Sequence, residues 1–450
     1  MNIPQLFKNR IIEIMGEENA EIYLKNLGKP QFRGIRANLI KISKENFEKI
    51  LGVKDSSPFC DYLYYVDKSS VNGNNPYHHC GAFYFQEPSA SSAVTALSPK
   101  KGDFVLDMCA SPGGKTTQIA PLIGDNGLIW SNEAVTQRIQ PLISNIERLG
   151  IKNAVVSNSH PELLTNELPE FFDKVLVDAP CSGEGMIRKD NSILNSWSIE
   201  NINICAVRQL KILESAAKCL KNGGLLCYST CTFAYEENEQ VIESFLSMHY
   251  EFELIKIEKP FGSDGLKRYA PHTKNIEYAR RIFPKDGGEG HFVALMKKSG
   301  DIKADNFCET EKQNNEIKIF KEFYSGTFKE NYSGIAVSIK DKVYIKPNIP
   351  TFNNVGVVRQ GVFCGEVKKN RFEPSHALFM AYGNKALNII DFKLQDKNLY
   401  KFLHGEEIEC DGSLKGFTAV TLDGMTLGFG KASNGRLKNR YPKGLRTLQI

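Results

Sequence analysis

Residues 101–298 predict an α/β fold built on a doubly wound, mostly parallel sheet. A helical segment precedes it and a small β-rich module follows. Two observations carry the prediction. Short apolar runs alternate with longer stretches of helical periodicity, as crossover connections between parallel strands require. Several of those runs also end in loops rich in Gly, Pro, Asp or Cys, at the strand ends where such sheets bind ligands.

The elements follow in chain order. Residues 1–50 read as helical, with Leu6, Phe7, Ile11, Ile12, Ile14 and Met15 at helical spacing. Phe32-Arg33-Gly34-Ile35-Arg36-Ala37-Asn38 reads as a short basic turn. Residues 51–100 read as irregular, with Asn-Gly and Asn-Asn-Pro breakers between Val71 and Tyr77. Strands are expected at Phe104–Cys109, Leu128–Ser131, Ala154–Ser157, Lys174–Ala179, Leu225–Ser229 and His291–Met296. Helices are expected at Lys115–Ile123, Thr136–Leu149, Ile202–Leu220 and Glu236–His249. Residues 299–316 are polar and acidic and read as a linker. Residues 317–450 hold short strands punctuated at Gly334, Asp341, Gly361 and Gly424. No internal repeat is evident.

Composition narrows the function class. A chain of 450 residues, 41 % hydrophobic and 24 % charged, is ordinary globular protein of two to three domains. The net charge of +5 lies entirely in the last third: residues 301–450 carry 23 basic and 17 acidic residues. Lys431, Arg436, Lys438, Arg440, Lys443 and Arg446 end the chain with no acid among them, a pattern that a phosphate backbone attracts. The 11 cysteines are an odd number in a long chain, which argues against a disulfide framework. Met1-Asn2-Ile3-Pro4-Gln5 does not open a signal peptide, and no apolar run approaches the ~18 residues of a membrane span. The expectation is a soluble, reduced, cytoplasmic protein with no membrane partner.

Four loops carry candidate chemistry. Val105-Leu106-Asp107-Met108-Cys109-Ala110-Ser111-Pro112-Gly113-Gly114-Lys115-Thr116-Thr117 runs from a strand through a Gly-rich turn into a helix. Its glycines admit close approach of a ligand, and the helix start offers free N–H groups. A nucleotide P-loop, G-x-x-x-x-G-K-[ST], would end at Gly114-Lys115-Thr116, but Cys109 stands where its first Gly is needed. Glu133 closes the next strand about twenty residues on, where an acid suits a ribose diol. Asp178-Ala179-Pro180-Cys181-Ser182-Gly183 delivers a carboxylate and a thiol past a third strand. Ser229-Thr230-Cys231-Thr232 delivers a second thiol past a fourth. Neither thiol belongs to a C-x-x-C pair or has a His near it in sequence, which argues against zinc and against a redox motif. No metal is expected. Cys205 and Cys219 lie on a helix face and read as inert.

Three motifs in this order, Cys109 to Lys115, Asp178 to Gly183 and Ser229 to Thr232, resemble the Sun/Fmu-type RNA (cytosine-5)-methyltransferases. Arg36-Ala37-Asn38, Gln86-Glu87-Pro88-Ser89 and Gly290-His291-Phe292-Val293-Ala294 are similar to further family segments. The stretches Arg371 to His376 and Lys438 to Gly444 resemble the RNA-recognition extension of the bacterial branch acting on 16S ribosomal RNA.

The resemblance implies a Rossmann-like class I methyltransferase domain at 101–298. It implies an N-terminal RNA-binding subdomain at 1–100 and, after the linker, a PUA-like RNA-recognition domain at 317–450. The implied cofactor is S-adenosylmethionine. Cys109, Ala110, Ser111, Pro112, Gly113, Gly114 and Lys115 would line it, Glu133 would hold its ribose, and Asp178 would face its reactive end and the base. The family often places an Asp near the adenine; here Asn158 or His160 must serve, or a main-chain group does. Cys231 is the implied nucleophile and Cys181 the residue that assists product release.

This chemistry has a reason. Cytosine C5 is a poor nucleophile until a thiolate adds to C6. The base must also leave its stack to be reached. The implied partner is RNA, 16S ribosomal RNA or the small subunit, met by a monomer. Two other classes stay open: a non-catalytic RNA-binding assembly factor, and a P-loop-like RNA ATPase.

Overall fold

The computed structural model describes residues 3–303, 307 and 309–447. Met1 and Asn2, residues 304–306 and 308 of the expected linker, and the last three residues of the expected C-terminal module lie outside the described residues.

Helices Gln5–Met15 and Glu17–Asn26 meet at Gly16 and bury Phe7, Ile11, Ile14, Ala20 and Tyr23. These side chains pack on Ile187, Phe233 and Phe283 of the central domain rather than forming a core of their own. The next stretch departs from expectation. The basic turn is strand β1, Gly34–Ala37, and the irregular stretch holds β2 (Ser56–Ser57), β3 (Cys60–Tyr65) and β4 (Phe83–Gln86). They form one sheet in the order β2-β3-β1-β4. The aromatic runs of β3 and β4 favour strand. The strands are short and their partners distant in sequence, so no local alternation announces them.

The central domain follows prediction. Strands β5 (Phe104–Asp107), β6 (Leu128–Asn132), β7 (Ala154–Ser157), β8 (Phe172–Asp178) and β9 (Leu220–Thr230) lie parallel in the order β7-β6-β5-β8-β9. The short strands β10 (Phe252–Leu254), β11 (Ser263–Asp264) and β12 (Arg280–Ile282) come next, and β13 (His291–Lys298) runs antiparallel beside β9. Helices Thr116–Ile123, Ile139–Arg148, Ile199–Cys219 and Glu239–Met248 match the four expected. Both faces of the sheet are buried, as a parallel sheet requires. Leu106, Trp130, Val177 and Tyr228 point to one core, and Val105, Ile129, Leu176 and Cys227 to the other. The strand order reverses between β5 and β8, which opens a crevice at their carboxyl ends.

The connection to the C-terminal region is anchored. Phe307 stacks on Phe104 and Phe171, and helix Asn315–Ser325 begins within the expected linker. Where one β-rich module was read, there are two sheets. Strands β14 (Ile335–Ile339) and β15 (Lys342–Lys346) are followed by β16 (Val357–Gln360), which leaves its neighbours to pair with β7 at the edge of the central sheet. Strands β17 (Val362–Lys368) and β18 (Arg371–Pro374) complete a sheet in the order β14-β15-β17-β18. Strands β19 (Ile389–Phe392), β20 (Ile408–Glu409), β21 (Gly416–Leu422), β22 (Met425–Ser433) and β23 (Arg436–Asn439) form the second, in the order β19-β21-β22-β23-β20. This sheet shares a core with the N-terminal one: Phe392, Phe402 and Leu427 pack with Ile35, Phe47 and Phe83. The N-terminal sheet and the last C-terminal sheet thus share one hydrophobic unit. Among the described residues no helix is long and apolar enough to cross a membrane.

Candidate active site

Every loop singled out in the sequence emerges at the carboxyl edge of the central sheet, around the β5/β8 reversal. Cys109 to Lys115 joins β5 to the helix Thr116–Ile123. Gly113 has φ of 105°, and a Cβ there would come within 3.1 Å of Leu142 Cδ1. The turn is tied down by Ala110 N–H to Asn132 O at 2.8 Å and Ser111 Oγ–H to Arg138 O at 2.7 Å. Among the described residues, the N–H groups of Gly114, Lys115 and Thr116 donate no hydrogen bond. They form a set of donors open to a ligand.

Two acids back this loop. Asp107 is fully buried, and burial pushes its carboxyl up to about 7 despite a 2.7 Å hydrogen bond from Thr116. Glu133 follows β6 and accepts from Val135 N–H at 2.9 Å. Its Oε2 is buried without a hydrogen-bond donor, with Arg138 Nη1 at 3.5 Å. A buried carboxylate oxygen that accepts no hydrogen bond, at the same edge of the sheet as the free N–H groups, fits the hydroxyls of a ribose. Asn158 is committed elsewhere. Its amide donates to Glu133 O at 2.7 Å and Ala134 O at 3.2 Å and accepts from Thr136 at 2.8 Å. It therefore braces the Glu133 turn rather than offering a free polar group. His160 is exposed at the start of helix Pro161–Glu167.

Asp178 closes β8. Lys115 Nζ lies 2.6 Å from its Oδ2, and Ser229 Oγ–H donates to Oδ1 at 2.8 Å. Burial would raise the Asp178 carboxyl, but the Lys115 ammonium and His291 hold it below the ordinary carboxylate range. Burial likewise depresses Lys115, and Asp178 more than restores it. Lys115 is thus a buried counter-ion, not a free phosphate ligand.

Beyond the ion pair stand two thiols, Cys181 Sγ and Cys231 Sγ, 3.3 Å apart. The hydrogen bond to Cys231, together with burial, raises the Cys181 thiol well above its usual range. The two loops are stitched together by Gly185 N–H to Cys231 O at 2.9 Å and Ser182 Oγ to Thr232 Oγ1 at 2.8 Å. Glu237 accepts from Ser182 N–H at 2.9 Å. A Cβ on Gly185 would lie 2.9 Å from Cys231 O, so this contact needs glycine. Cys205 and Cys219 are buried on the helix Ile199–Cys219.

Sequence reasoning missed one neighbour. His291 opens β13 and is 3 % exposed, with Nε2 3.7 Å from Asp178 Oδ1 and no hydrogen-bond partner on either ring nitrogen. The separation of 113 residues from Asp178 hid it; its place in the family-like segment Gly290 to Ala294, at the start of an expected strand, was the available signal.

Comparison with known proteins places the whole chain. A sequence model described as 16S rRNA methyltransferase RsmB/F matches residues 94–297. The N-terminal domain of 16S rRNA methyltransferase RsmF matches residues 3–88, the RsmF first C-terminal domain 322–382, and the RsmF PUA domain 390–447. The chain is 33 % identical to the ribosomal RNA small subunit methyltransferase F of Vibrio parahaemolyticus, over 98 % of this chain and 97 % of that protein. It is 32 % identical to the protein of that name from Aeromonas salmonicida, with the same coverage. Among solved structures, a methyltransferase homolog protein from Pyrococcus horikoshii aligns with a TM-score of 0.58 and 32 % identity, over 66 % of this chain and 95 % of that one. NSun6 from Pyrococcus horikoshii with SFG aligns with a TM-score of 0.57 and 25 % identity, over 66 % and 99 %.

Proposed function

Since the chain belongs to the 16S rRNA methyltransferase RsmB/F family and is an S-adenosylmethionine-dependent methyltransferase, we propose that it methylates C5 of cytosine in 16S ribosomal RNA through a covalent Cys231–C6 adduct. The observation that carries the reading is the cluster of two thiols and an ion-paired carboxylate at the ligand edge of the sheet.

The loop Cys109 to Lys115 and Glu133 would hold the cofactor, the loop through its free N–H groups and Glu133 through a ribose hydroxyl. When bound, S-adenosylmethionine supplies an electrophilic methyl group. Cys231, as thiolate, adds to C6 of a flipped cytosine and makes C5 nucleophilic. Asp178, kept ionised by Lys115, accepts from the amino edge of the base and stabilises the charged adduct. After transfer, a base at the site takes the C5 proton, the C–H electron pair re-forms the C5=C6 bond, and the C6–S bond breaks with its pair on sulfur, which frees Cys231 as the thiolate. Cys181, in contact with Cys231, assists that release.

On this reading residues 101–298 carry the chemistry, and residues 1–100 and 317–450, joined through the 299–316 segment, hold the RNA. RNA is recognised by shape and backbone, which suits broad flanking surfaces. On the same reading the enzyme acts as a monomer on RNA in the cytoplasm.

The test uses labelled S-adenosylmethionine with small-subunit RNA or subunits. Wild type yields 5-methylcytosine, Cys231→Ala yields none, and Cys181→Ala accumulates a protein–RNA adduct. Methylation by Cys231→Ala would transfer the nucleophile role to Cys181.

A further inference from the structure

Arg36 is a buried cation whose charge no carboxylate meets. It is 2 % exposed, and among the described residues no acid lies within ion-pair distance. Burial lowers its pKa, against the electron-rich surroundings of Tyr62, Cys60 and Tyr84. Its guanidinium lies 5.3 Å from the Tyr84 ring centre. Leaving an unpaired charge in a core is costly unless strong hydrogen bonds compensate. Three do. One goes to Gln86 on the neighbouring strand; the others cross into the central domain, to Gly114 O at 2.7 Å and Thr117 Oγ1 at 2.7 Å.

Those two acceptors bracket the exit of the cofactor loop. In a trans peptide the carbonyl and the following N–H point in opposite directions. With Gly114 O turned toward Arg36, the N–H of Lys115 points away from the N-terminal sheet, and it is one of the donors left without an acceptor. Asn38 lies just past the end of β1. Its amide donates to Leu149 O at 2.9 Å, where the helix Ile139–Arg148 ends after the Glu133 turn. The N-terminal sheet and the residue after it therefore hold the central domain at two points, the exit of the cofactor loop through Arg36 and the end of the helix Ile139–Arg148 through Asn38.

We propose that Arg36 is a positioning residue for the cofactor: it sets the Gly114–Lys115 peptide and the entry of the following helix, so that S-adenosylmethionine affinity depends on the N-terminal sheet. The inference rests on the cofactor assignment, not on which RNA base is methylated.

The test is calorimetric binding of S-adenosylmethionine to the full chain without RNA, with thermal midpoint and RNA affinity as controls. Arg36→Gln should weaken cofactor binding about tenfold or more, the scale of losing a charge-assisted hydrogen bond. Arg36→Lys, which keeps the charge and reaches one acceptor, should recover part of that. Thr117→Val should weaken binding about threefold. RNA affinity should stay within about twofold for all three, whereas a general loss of folding would lower both. Cofactor affinity within about twofold of wild type in folded Arg36→Gln overturns the proposal. If Arg36→Gln does not fold, unchanged affinity in both Arg36→Lys and Thr117→Val overturns it. Wild type that binds cofactor but methylates no cytosine refutes the reaction above and leaves this test standing.

Discussion

Cys181 Sγ and Cys231 Sγ lie 3.3 Å apart although 50 residues separate them in the chain. The sheet explains the meeting. Asp178 on β8 and Ser229 on β9 are partners in a parallel ladder, and each thiol lies two or three residues beyond its strand's member of that pair.

Such proximity predicts an oxidative lock. A thiol-specific oxidant should take two electrons and two protons from this pair and form the Cys181–Cys231 disulfide. Methyl transfer should then stop and return on reduction. Peptide mapping by mass spectrometry checks it; a Cys181–Cys231 peptide that stays reduced while activity is lost would refute the link.

Replacing Lys115 by Met removes the cation that holds Asp178 down. Burial then dominates and the Asp178 carboxyl rises. Wild type should show no acid limb from Asp178 above pH 5, since that carboxyl stays ionised there. The variant should acquire one, with kcat down about a hundredfold at neutral pH. A pH–rate profile for both enzymes decides; coincident acid limbs would count against the role of the ion pair.

Glu133→Gln keeps the size of the side chain and removes the charge from the orphaned Oε2. KM for S-adenosylmethionine should rise about tenfold, with KM for RNA unchanged. Equal effects on both substrates would mean that the turn itself had collapsed.

Glu237 is buried, and burial pushes its carboxyl up to about 7 from an ordinary value of 4.5. Between these values the folded chain binds more protons than the unfolded one, so this group's contribution to stability falls as pH rises. Gln at this position can still accept from Ser182, and its amino group would stand where Oε1 has no partner. Glu237→Gln should therefore flatten the loss of thermal midpoint between pH 5.5 and 8.5, gaining about 2 kcal/mol at the alkaline end. Scanning calorimetry across that range is the check; a parallel pair of curves would contradict it.

The sequence by itself determined the central domain and its loops. Strands β5 to β9 and β13 are apolar runs flanked by breakers, and long-period helices lie between most of them, so local pattern and tertiary fold agree. The residues at the site were legible for the same reason: the carboxyl ends of parallel strands gather at one edge whatever the details of packing. Tertiary structure decided the rest. β1 has four residues, and its strand character comes from pairing with β3 and β4, not from a pattern of its own. His291 faces Asp178 because β13 lies antiparallel against β9, a neighbour that spacing along the chain does not reveal. Arg36 reads as part of a short basic turn, yet it is buried. Only the packing of the N-terminal sheet on the central domain supplies Gly114 O and Thr117 Oγ1, acceptors 78 and 81 residues away, that make burying it tolerable.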